Sequence, residues 1–311
     1  MTSADSWVLP AGTATRDGWD TVVDDTLEHW QYTGLRTVTL ADGAGSTVAA
    51  GPWEYLVVPL AGSVRVDATD ALGGVDKAVL AGRASVFTGP TDVAYVPAGS
   101  TLELTGVGPH ARVAVCAARV EGDSGSGKFR HVGREEVPVE LRGAGMASRE
   151  VRNFGVPDVL DADSIIACEV ITPAGNWSSY PPHKHDEERP GLETELEEIY
   201  YFETQVEGAA SGADVPAGAD PVGYQRVYGT DARPIEVFAE VRTGDVVLVP
   251  HGWHGPAMAP PGYDLYYLNV MAGPGPTRAW LICDDPSHGW VRDTWSDQAI
   301  DPRLPLGGSH R

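Results

Sequence analysis

Glycine and proline are so frequent in this chain that long helices have almost no uninterrupted stretch in which to form. The 311 residues include 37 glycines and 24 prolines, and no segment longer than ten residues keeps a helical hydrophobic period without one of them. Between these breaks lie short runs rich in valine, leucine, isoleucine and tyrosine, which are typical of β-strands. The runs span residues 37–40, 55–58, 63–66, 112–115, 165–168, 199–202, 224–227, 246–249 and 265–268. The sequence therefore predicts an all-β fold of the sandwich or barrel kind, with few helices.

The acidic composition narrows the classes of partner. There are 22 Lys and Arg against 44 Asp and Glu, a formal net charge of −22, and no basic cluster, so we expect no nucleic-acid partner. No apolar stretch approaches the ~20 residues that span a bilayer, and the first ten residues lack the features of a signal peptide, so we expect no membrane association. Three scattered cysteines exclude a disulfide framework. The expectation is a cytoplasmic globular protein.

A small, polar, glycine-rich segment divides the chain in two. We predict an N-terminal barrel over residues 1–120, a linker over residues 121–135 and a C-terminal barrel over residues 136–311. Within the last of these, residues 209–220 are predicted to form an inserted surface loop. The Pro- and Gly-containing stretch from Asp297 onward is predicted to be a loosely ordered tail.

The two parts of the chain resemble each other, which indicates a duplicated barrel. Residues 95–101 align with residues 248–254 through a shared Val-Pro-x-Gly. Upstream, a second alignment places Glu54 against Glu198. Thr101 stands where the C-terminal copy has a histidine, and the N-terminal copy has no His-x-His, so we expect only the C-terminal copy to hold a metal.

The segment around His183 and His185 carries the strongest functional signal. Alternate side chains of an extended chain point the same way, so these two imidazoles can converge on one point. Glu198 opens a tyrosine-rich strand downstream, and His254 follows a strand end. Neutral imidazoles and a carboxylate suit first-row divalent metals, and this set leaves coordination positions open for substrate. The sequence predicts one divalent metal ion held by these four residues.

The order of these ligands resembles the two motifs of the cupin superfamily, in which Gly244-x5-Pro250-x-Gly252-x-His254 forms the second motif. The spacing from His185 to Glu198 is longer than in that pattern, one residue is missing before the last histidine, and no Asn follows it by four positions. Five segments are similar in sequence to the 5-deoxy-glucuronate isomerase family of myo-inositol catabolism. They are residues 180–186, 197–202, 250–256 and 266–273 and the closing Asp-Asp-Pro-x-His-x-Trp at 284–290. The resemblance implies a duplicated cupin, or bicupin.

This resemblance implies an aldose–ketose isomerase that converts 5-deoxy-D-glucuronate to 5-dehydro-2-deoxy-D-gluconate. Such a reaction moves a proton between adjacent carbons while negative charge develops on oxygen, which a divalent metal stabilises. Zinc and manganese both fit the ligand set, and iron also fits. The expected partner is a small sugar acid, and exposed sheet edges are compatible with a homo-oligomer.

The proton-transferring group and the substrate contacts are less sharply indicated. Tyr200, His251 and Tyr267 are the catalytic candidates near the mouth of the predicted barrel, together with a carboxylate from the acidic pair at 187–188. The substrate carboxylate calls for a cation. Among the cations of this half, Arg278 is available but Arg226 is favoured slightly, and the substrate contacts predicted from the sequence are Lys184, Gln225 and Arg226.

Two other functions remain open at this point. The same ligand set on the same barrel can hold Fe(II), which would make the protein a dioxygenase. A sugar-binding bicupin without turnover is the second alternative, since the N-terminal copy shows that a barrel here can lack a metal site. Isomerase ranks first, binding module second and dioxygenase third.

Overall fold

Strands dominate the computed structural model of this chain, which describes residues 7–121 and 127–307. Strand makes up 47% of the described residues and helix 7%, so the all-β prediction is confirmed. The strands up to residue 132 are β1 (Val8–Leu9), β2 (Thr21–Val23), β3 (Thr33–Leu40), β4 (Gly45–Val48), β5 (Trp53–Thr69), β6 (Val75–Arg83), β7 (Val93–Val96), β8 (Thr101–Arg119) and β9 (Arg130–Val132). Those after it are β10 (Val139–Arg142), β11 (Arg149–Gly155), β12 (Ile166–Thr172), β13 (Trp177–Ser178), β14 (His183–Lys184), β15 (Glu197–Val206), β16 (Gly223–Tyr228), β17 (Glu236–Val241), β18 (Val246–Val249), β19 (Trp253–Met258), β20 (Tyr263–Ala272) and β21 (Cys283–Asp284). Short 3₁₀ segments lie at Val86–Thr88, Arg134–Glu136, Gly145–Ala147, Ala209–Ser211 and Gly289–Asp297.

The two halves of the chain repeat one strand order. The first sheet runs β2-β3-β8-β5-β7-β9, with β4 and β6 attached to β8 and β5. The second runs β1-β18-β15-β20-β12-β11-β10, so that β12, β20, β15 and β18 occupy the places of β3, β8, β5 and β7. A third sheet, β17-β16-β19-β14-β21, completes the C-terminal half. The duplication is therefore a property of the fold, although the sheets do not close into hydrogen-bonded barrels.

One pair of predicted strands is a single long strand. Residues 55–58 and 63–66 both belong to β5, which pairs with β8 along its length. The pairing register shifts near Ala61, and Gly62 has φ +74°. An added Cβ at Gly62 would lie 2.2 Å from the carbonyl oxygen of His110. A glycine at this position therefore lets the strand bend without ending, which a sequence pattern shows as a break.

Each half contributes a leading strand to the sheet of the other half. Strand β1 pairs with β18, with Val8 opposite Val247, while β9 pairs with β7 across the divide, with Val132 opposite Val93. Residues 122–126 of the predicted linker lie outside the described residues, but residues 130–132 form a strand. This segment of the predicted linker is therefore ordered, because the extended chain covers a sheet edge that would otherwise leave backbone groups unpaired. The domain limits themselves stay a prediction.

The alignment of Glu54 with Glu198 is wrong by one residue. In the first sheet Tyr55 lies opposite Val96, and in the second Glu198 lies opposite Val249. Tyr55 is therefore the counterpart of Glu198, and a one-residue shift in a strand moves a side chain to the other face of the sheet. Tyr55 packs in an apolar cluster together with Val57, Val96 and neighbouring side chains of the N-terminal half.

Glu54 instead matches Glu197, and both glutamates join the two halves. Glu54 is fully buried and accepts hydrogen bonds from the backbone amides of residues 163–165, at 2.5 to 2.9 Å. In the reciprocal arrangement Glu197 accepts from the amides of Tyr32 and Thr33 at 2.5 and 2.6 Å. A carboxylate that accepts hydrogen bonds from several backbone amides is held in one orientation. The repeat therefore builds two equivalent clamps between the halves.

A buried ion cluster lies across the same junction. Glu169 accepts two hydrogen bonds from Arg83 of the other half, at 2.6 and 2.7 Å, and one from Arg152 at 2.9 Å. The Tyr266 hydroxyl donates to the same carboxylate at 2.9 Å. Burial alone would raise the pKa of Glu169, but the two guanidinium groups outweigh it and lower the pKa to about 2. The Glu169 carboxylate thus accepts four hydrogen bonds, two of them from Arg83 of the other half, and these bonds fix one half against the other.

The remaining two segment predictions have opposite outcomes. Residues 209–220 form the predicted exposed loop, with one short 3₁₀ turn. The stretch from Asp297 is not loose, at least as far as residue 307. Leu304 is buried, Arg303 donates to the carbonyl of Ala174 at 3.0 Å, and the Leu306 amide donates to Glu150 at 2.8 Å. The composition suggested a tail, but these contacts hold it against the C-terminal half.

No helix within residues 7–121 and 127–307 has the length and apolar character that crossing a membrane requires.

We expect Glu169→Gln to lower the free energy of unfolding by about 3–5 kcal/mol at pH 7, because the buried Arg83 loses its counter-charge and Arg152 keeps only Glu150. The folded-state pKa of about 2 lies below the ordinary 4.5. The contribution of Glu169 is therefore complete above about pH 4.5 and is lost as the pH falls toward 2. The difference in the free energy of unfolding between wild type and Glu169→Gln should become smaller as the pH falls from 4.5 toward 2. Urea unfolding from pH 7 to pH 2.5 measures it.

Glu236→Gln is the matched control, since Glu236 is exposed and its loss should change stability by less than about 0.5 kcal/mol. A Glu169→Gln protein as stable as this control at pH 7 would show that the ion cluster does not hold the halves together.

Candidate metal centre

Three histidines that are separated in sequence lie together inside the C-terminal half. Strand β14 lies between β19 and β21, and this pairing sets His183 opposite His254 on one side and Asp284 on the other. His185 follows β14 directly. The ring centroids lie 4.5 Å apart for His183 and His254 and 4.7 Å apart for His185 and His254. One nitrogen from each of the three rings lies within 4.8 Å of the others, and all three side chains are buried.

Backbone carbonyls orient the three rings in the same way. The Nδ1 atom of His183 lies 3.3 Å from the carbonyl of residue 181, that of His185 lies 3.1 Å from the carbonyl of residue 196, and that of His254 lies 3.2 Å from the carbonyl of residue 252. A carbonyl can only accept a hydrogen bond, so each Nδ1 carries the proton. Each Nε2 then has a free lone pair. This is the ring orientation that metal-binding histidines adopt.

Glu198 comes to the same point from the opposite sheet. It is the second residue of β15, and its Oε2 atom lies 3.0 Å from Nε2 of His185 and 3.1 Å from Nε2 of His254. Burial alone would raise the pKa of Glu198, but the two histidines outweigh it and lower the pKa to about 2. Burial and its two histidine neighbours hold the pKa of His183 well below the ordinary value, so that ring is neutral.

The donor set fits a cation at its centre. A neutral ring with its proton on Nδ1 turns an Nε2 lone pair toward this carboxylate oxygen about 3 Å away, so the contacts of His185 and His254 with Glu198 require a positive charge between them, either a proton on Nε2 or a metal ion. The Nε2 atom of His254 is buried and makes no aligned hydrogen bond. Three neutral imidazole nitrogens and one carboxylate oxygen are ligands that first-row divalent metals accept. The histidine cluster therefore indicates a metal ion.

A polar cavity of about 410 Å³ opens at this cluster. That volume lies within the ~300–1,000 Å³ typical of small-molecule sites. The residues lining it are Arg142, Arg149, Val151, Val170, Ser179, His183, Glu198, Tyr200, Tyr267, Asn269, Trp280, Ile282, Asp284 and Arg292. Two of the predicted catalytic residues, Tyr200 and Tyr267, are among them.

Both tyrosines are neutral phenols at ordinary pH. Burial, with Glu198 as the next cause, raises the pKa of Tyr200 well above its usual value. Burial also raises the pKa of Tyr267. The hydroxyl of Tyr200 lies 3.1 Å from the hydroxyl of Ser179, so these two groups share a hydrogen bond. These phenols can donate a hydrogen bond to an oxyanion, but they are not ionised bases.

The structure does not bring His251 to this cavity. It lines a separate one together with Arg233 and Pro250. Burial, then the Arg233 charge, lowers the pKa of His251. His251 is only three residues before His254 in the sequence, but the Pro-x-Gly turn directs its side chain away from the cavity beside the histidine cluster. Of the acidic pair at 187–188, Glu187 is exposed and lies 3.4 Å from the Lys184 ammonium.

The predicted substrate contacts also lie outside the cavity lining. Lys184 points away from the histidines, as alternation requires, and bonds Asp186 at 2.5 Å and Glu193 at 2.8 Å. Arg226 is exposed and stacks over the Tyr228 ring. Adjacent residues of a strand face opposite sides of the sheet. Gln225 is therefore buried, whereas Arg226 faces solvent.

Two further residues that the sequence singled out have other surroundings. Gln225 is fully buried on the inner face of β16, and neither polar atom of its side chain has a hydrogen-bond partner among the described residues. Arg278 donates to three backbone carbonyls, at 2.5 to 2.7 Å. It therefore supports the chain between β11 and β12 and is not free to meet a ligand.

Sequence reasoning missed the charged residues that do line the cavity. These are Arg142, Arg149, Asp284 and Arg292. Asp284 belongs to the closing segment at residues 284–290, whose sequence is similar to the family, and that similarity was the signal that could have identified Asp284 as a site residue. The arginines at 142 and 149 lie on β10 and β11, some 40 residues before the histidines, and no local spacing connects them with the metal ligands.

Comparison with known proteins places this fold and these residues in a family. The model of the KduI/IolB family matches residues 7–291. The chain belongs to the KduI/IolB family. It is 38% identical over 292 residues to the 5-deoxy-glucuronate isomerase of Geobacillus kaustophilus, covering 92% of this chain and 95% of that protein. It is 37% identical over 261 residues to the protein of the same name from Bacillus subtilis strain 168, covering 84% and 88%.

Solved structures support the fold in the same way. An IolB-like protein from Salmonella typhimurium LT2 superposes with a TM-score of 0.76 at 32% identity, covering 92% of this chain and 98% of that one. Oxalate decarboxylase of Lactobacillus farciminis superposes with a TM-score of 0.61 at 12% identity, covering 89% and 88%. The latter likeness shows the fold alone, and it agrees with the cupin architecture predicted from the motifs.

We expect the purified protein to carry about one divalent metal ion per chain, and His183→Ala/His185→Ala to carry almost none, because two of the four donor groups are removed. Elemental analysis after growth with added zinc and manganese measures this. His110→Ala removes an exposed histidine and should keep the full metal content. Equal metal in all three proteins would rule out the cluster as the metal site.

Proposed function

We propose that this chain is a metal-dependent aldose–ketose isomerase that converts 5-deoxy-D-glucuronate to 5-dehydro-2-deoxy-D-gluconate. The observation that carries the proposal is the cluster of three histidines and Glu198 at one wall of a polar cavity that also holds three arginines. Relatives at 37–38% identity over most of the chain carry the name 5-deoxy-glucuronate isomerase. A cationic cavity suits a sugar acid, and a metal beside it suits a carbonyl.

His183, His185, Glu198 and His254 are the proposed metal ligands. Three nitrogens and one oxygen leave further positions open, and zinc, manganese and iron all accept such a set. When bound, the ion would supply Lewis acidity to the oxygens of the reacting carbons. The chain itself contributes the orientation of the rings by three backbone carbonyls and the exclusion of bulk water from a buried cluster.

The isomerisation takes a proton from C2 of the substrate and returns it to C1, and moves a second proton from O2 to O1. Apart from Glu198, Asp284 is the only carboxylate that lines the cavity in the described part of the chain. We assign it the role of the base between C2 and C1. Arg292 holds it in place through a two-point ion pair, one contact of which is 2.7 Å long.

Tyr200 and Tyr267 are assigned to the oxygens of the substrate. Both phenols stay protonated because burial raises their pKa values, so each can donate to the oxyanion that develops during proton transfer. The shared hydrogen bond between Tyr200 and Ser179 gives a route for the O2 proton to move to O1.

The metal-loaded protein is expected to convert 5-deoxy-D-glucuronate to the ketose, followed by NMR of the aldehyde and hydrate signals. His183→Ala/His185→Ala should lose this activity, whereas His110→Ala should keep it. Conversion by the double variant at the wild-type rate would contradict the proposal. Binding of the sugar acid without turnover would indicate a binding module, and oxygen consumption with iron would indicate a dioxygenase.

Asp284→Asn is expected to lower kcat by about 10²- to 10⁴-fold, because the amide cannot accept the C2 proton. It should leave metal content and the free energy of unfolding nearly unchanged, since the amide can still accept from Arg292. Exchange of the C2 proton with deuterated solvent should fall with kcat. Asp293→Asn, an exposed neighbour, serves as control, and an unchanged kcat in Asp284→Asn would remove this residue from the reaction.

A further inference from the structure

Three guanidinium groups share one cavity in a chain whose net charge is −22. Arg142 bonds Glu140 at 2.6 and 3.0 Å, and Arg292 is paired in the same two-point way with Asp284. Among the described residues, no carboxylate lies within ion-pairing distance of Arg149. The cavity wall therefore has one positive charge that no carboxylate of its own neutralises.

Arg149 is held rigidly although it lacks a counter-ion. Its side chain is 5% exposed, and Nη1 donates to the carbonyl of Ala147 at 3.1 Å. Its guanidinium carbon lies 5.5 Å above the centre of the Trp295 ring. A Cβ at Gly143 would approach Nη1 to 2.7 Å, so that glycine keeps the space for the group open. Packing thus fixes the planar fork in one orientation.

A buried, unpaired guanidinium is costly, which points to a ligand. Burial, together with the neighbouring charges of Arg142 and Arg292, lowers the pKa of Arg149 to about 10. The indole N–H of Trp280, which also lines the cavity, is buried and has no acceptor among the described residues. A cation and an unused donor beside one cavity match the two oxygens of a carboxylate.

We propose that Arg149 binds the carboxylate of the sugar acid and so fixes the opposite, carbonyl end of the molecule at the histidine cluster. This rests on the proposed function, because it assigns the orientation of that substrate. Arg142 and Arg292 are already paired with Glu140 and Asp284, and their charges add to the positive potential around Arg149. Arg149 is then the residue that makes the site select acids over neutral sugars of the same length.

The test compares Arg149→Gln with wild type on two aldoses. These are 5-deoxy-D-glucuronate and the matching 5-deoxy aldohexose, in which CH₂OH replaces the carboxylate. The variant should lose about 10- to 100-fold in kcat/KM for the acid, chiefly through KM, and should turn over the neutral aldose as wild type does. Arg149→Lys keeps the charge but not the fork and should recover part of the loss. Equal losses on both aldoses would overturn the proposal.

A binding measurement separates this proposal from the failure of the isomerase function. D-glucarate has a carboxylate at each end of a six-carbon chain, whereas D-gluconate has one that can bind a metal directly. Titration calorimetry with metal-loaded wild type should show about 10- to 100-fold tighter binding of D-glucarate, and Arg149→Gln should abolish that preference. Neither compound needs to react, so the result holds even if the protein isomerises nothing.

Controls keep the outcome independent of folding. The metal content and thermal unfolding of Arg149→Gln must match those of wild type. If either differs, the comparison is made with Arg149→Lys instead of Arg149→Gln. Arg119→Gln, an exposed arginine paired with Asp25 in the N-terminal half, should keep the preference for D-glucarate. No preference in wild type, or the same preference in Arg149→Gln, would show that this arginine does not bind a carboxylate.

Discussion

The site depends on keeping the carboxylate of Glu198 ionised where almost no water reaches it. A buried charge is tolerated only when other groups compensate it, and here the Nε2 atoms of two imidazoles from the facing sheet lie about 3 Å from one of its oxygens and hold the compensating positive charge, a proton or a metal ion, beside it. The two sheets of the C-terminal half must therefore hold the carboxylate and the imidazoles at contact distance. The pairing of β14 with β19, which sets His183 opposite His254, supplies that position.

The N-terminal half supports this arrangement without sharing its chemistry. Tyr55 occupies the place of Glu198 and packs among apolar side chains, so no charge there needs compensation. The N-terminal half does provide Glu54, Arg83 and strand β1 to the contacts between the two halves. Duplication has thus kept the paired edges and the reciprocal glutamate clamps, while the residues on the inner face have diverged.

Much of the candidate centre could be predicted from local spacing. His183 and His185 alternate on an extended chain, Glu198 opens one recognisable strand pattern and His254 follows another, so the four residues that the structure brings together are those that the sequence indicated. The error over Glu54 has a simple cause. A side-chain period of two makes the face of a strand depend on register, and register comes from pairing partners, Val96 and Val249, which lie far along the chain.

By itself, the sequence determined the all-β class, the repeat and the group of three histidines and Glu198, because turn residues, strand patterns and motif spacings are local. Only the tertiary structure decided which charged residues line the cavity beside that group. Arg149 and Asp284 lie on different strands, 135 positions apart in the numbering, and reach one cavity because β10, β11 and β21 border it. The same packing turned Lys184 and Arg226 toward other partners. Long-range pairing of strands fixes such neighbours, and no period within a segment records it.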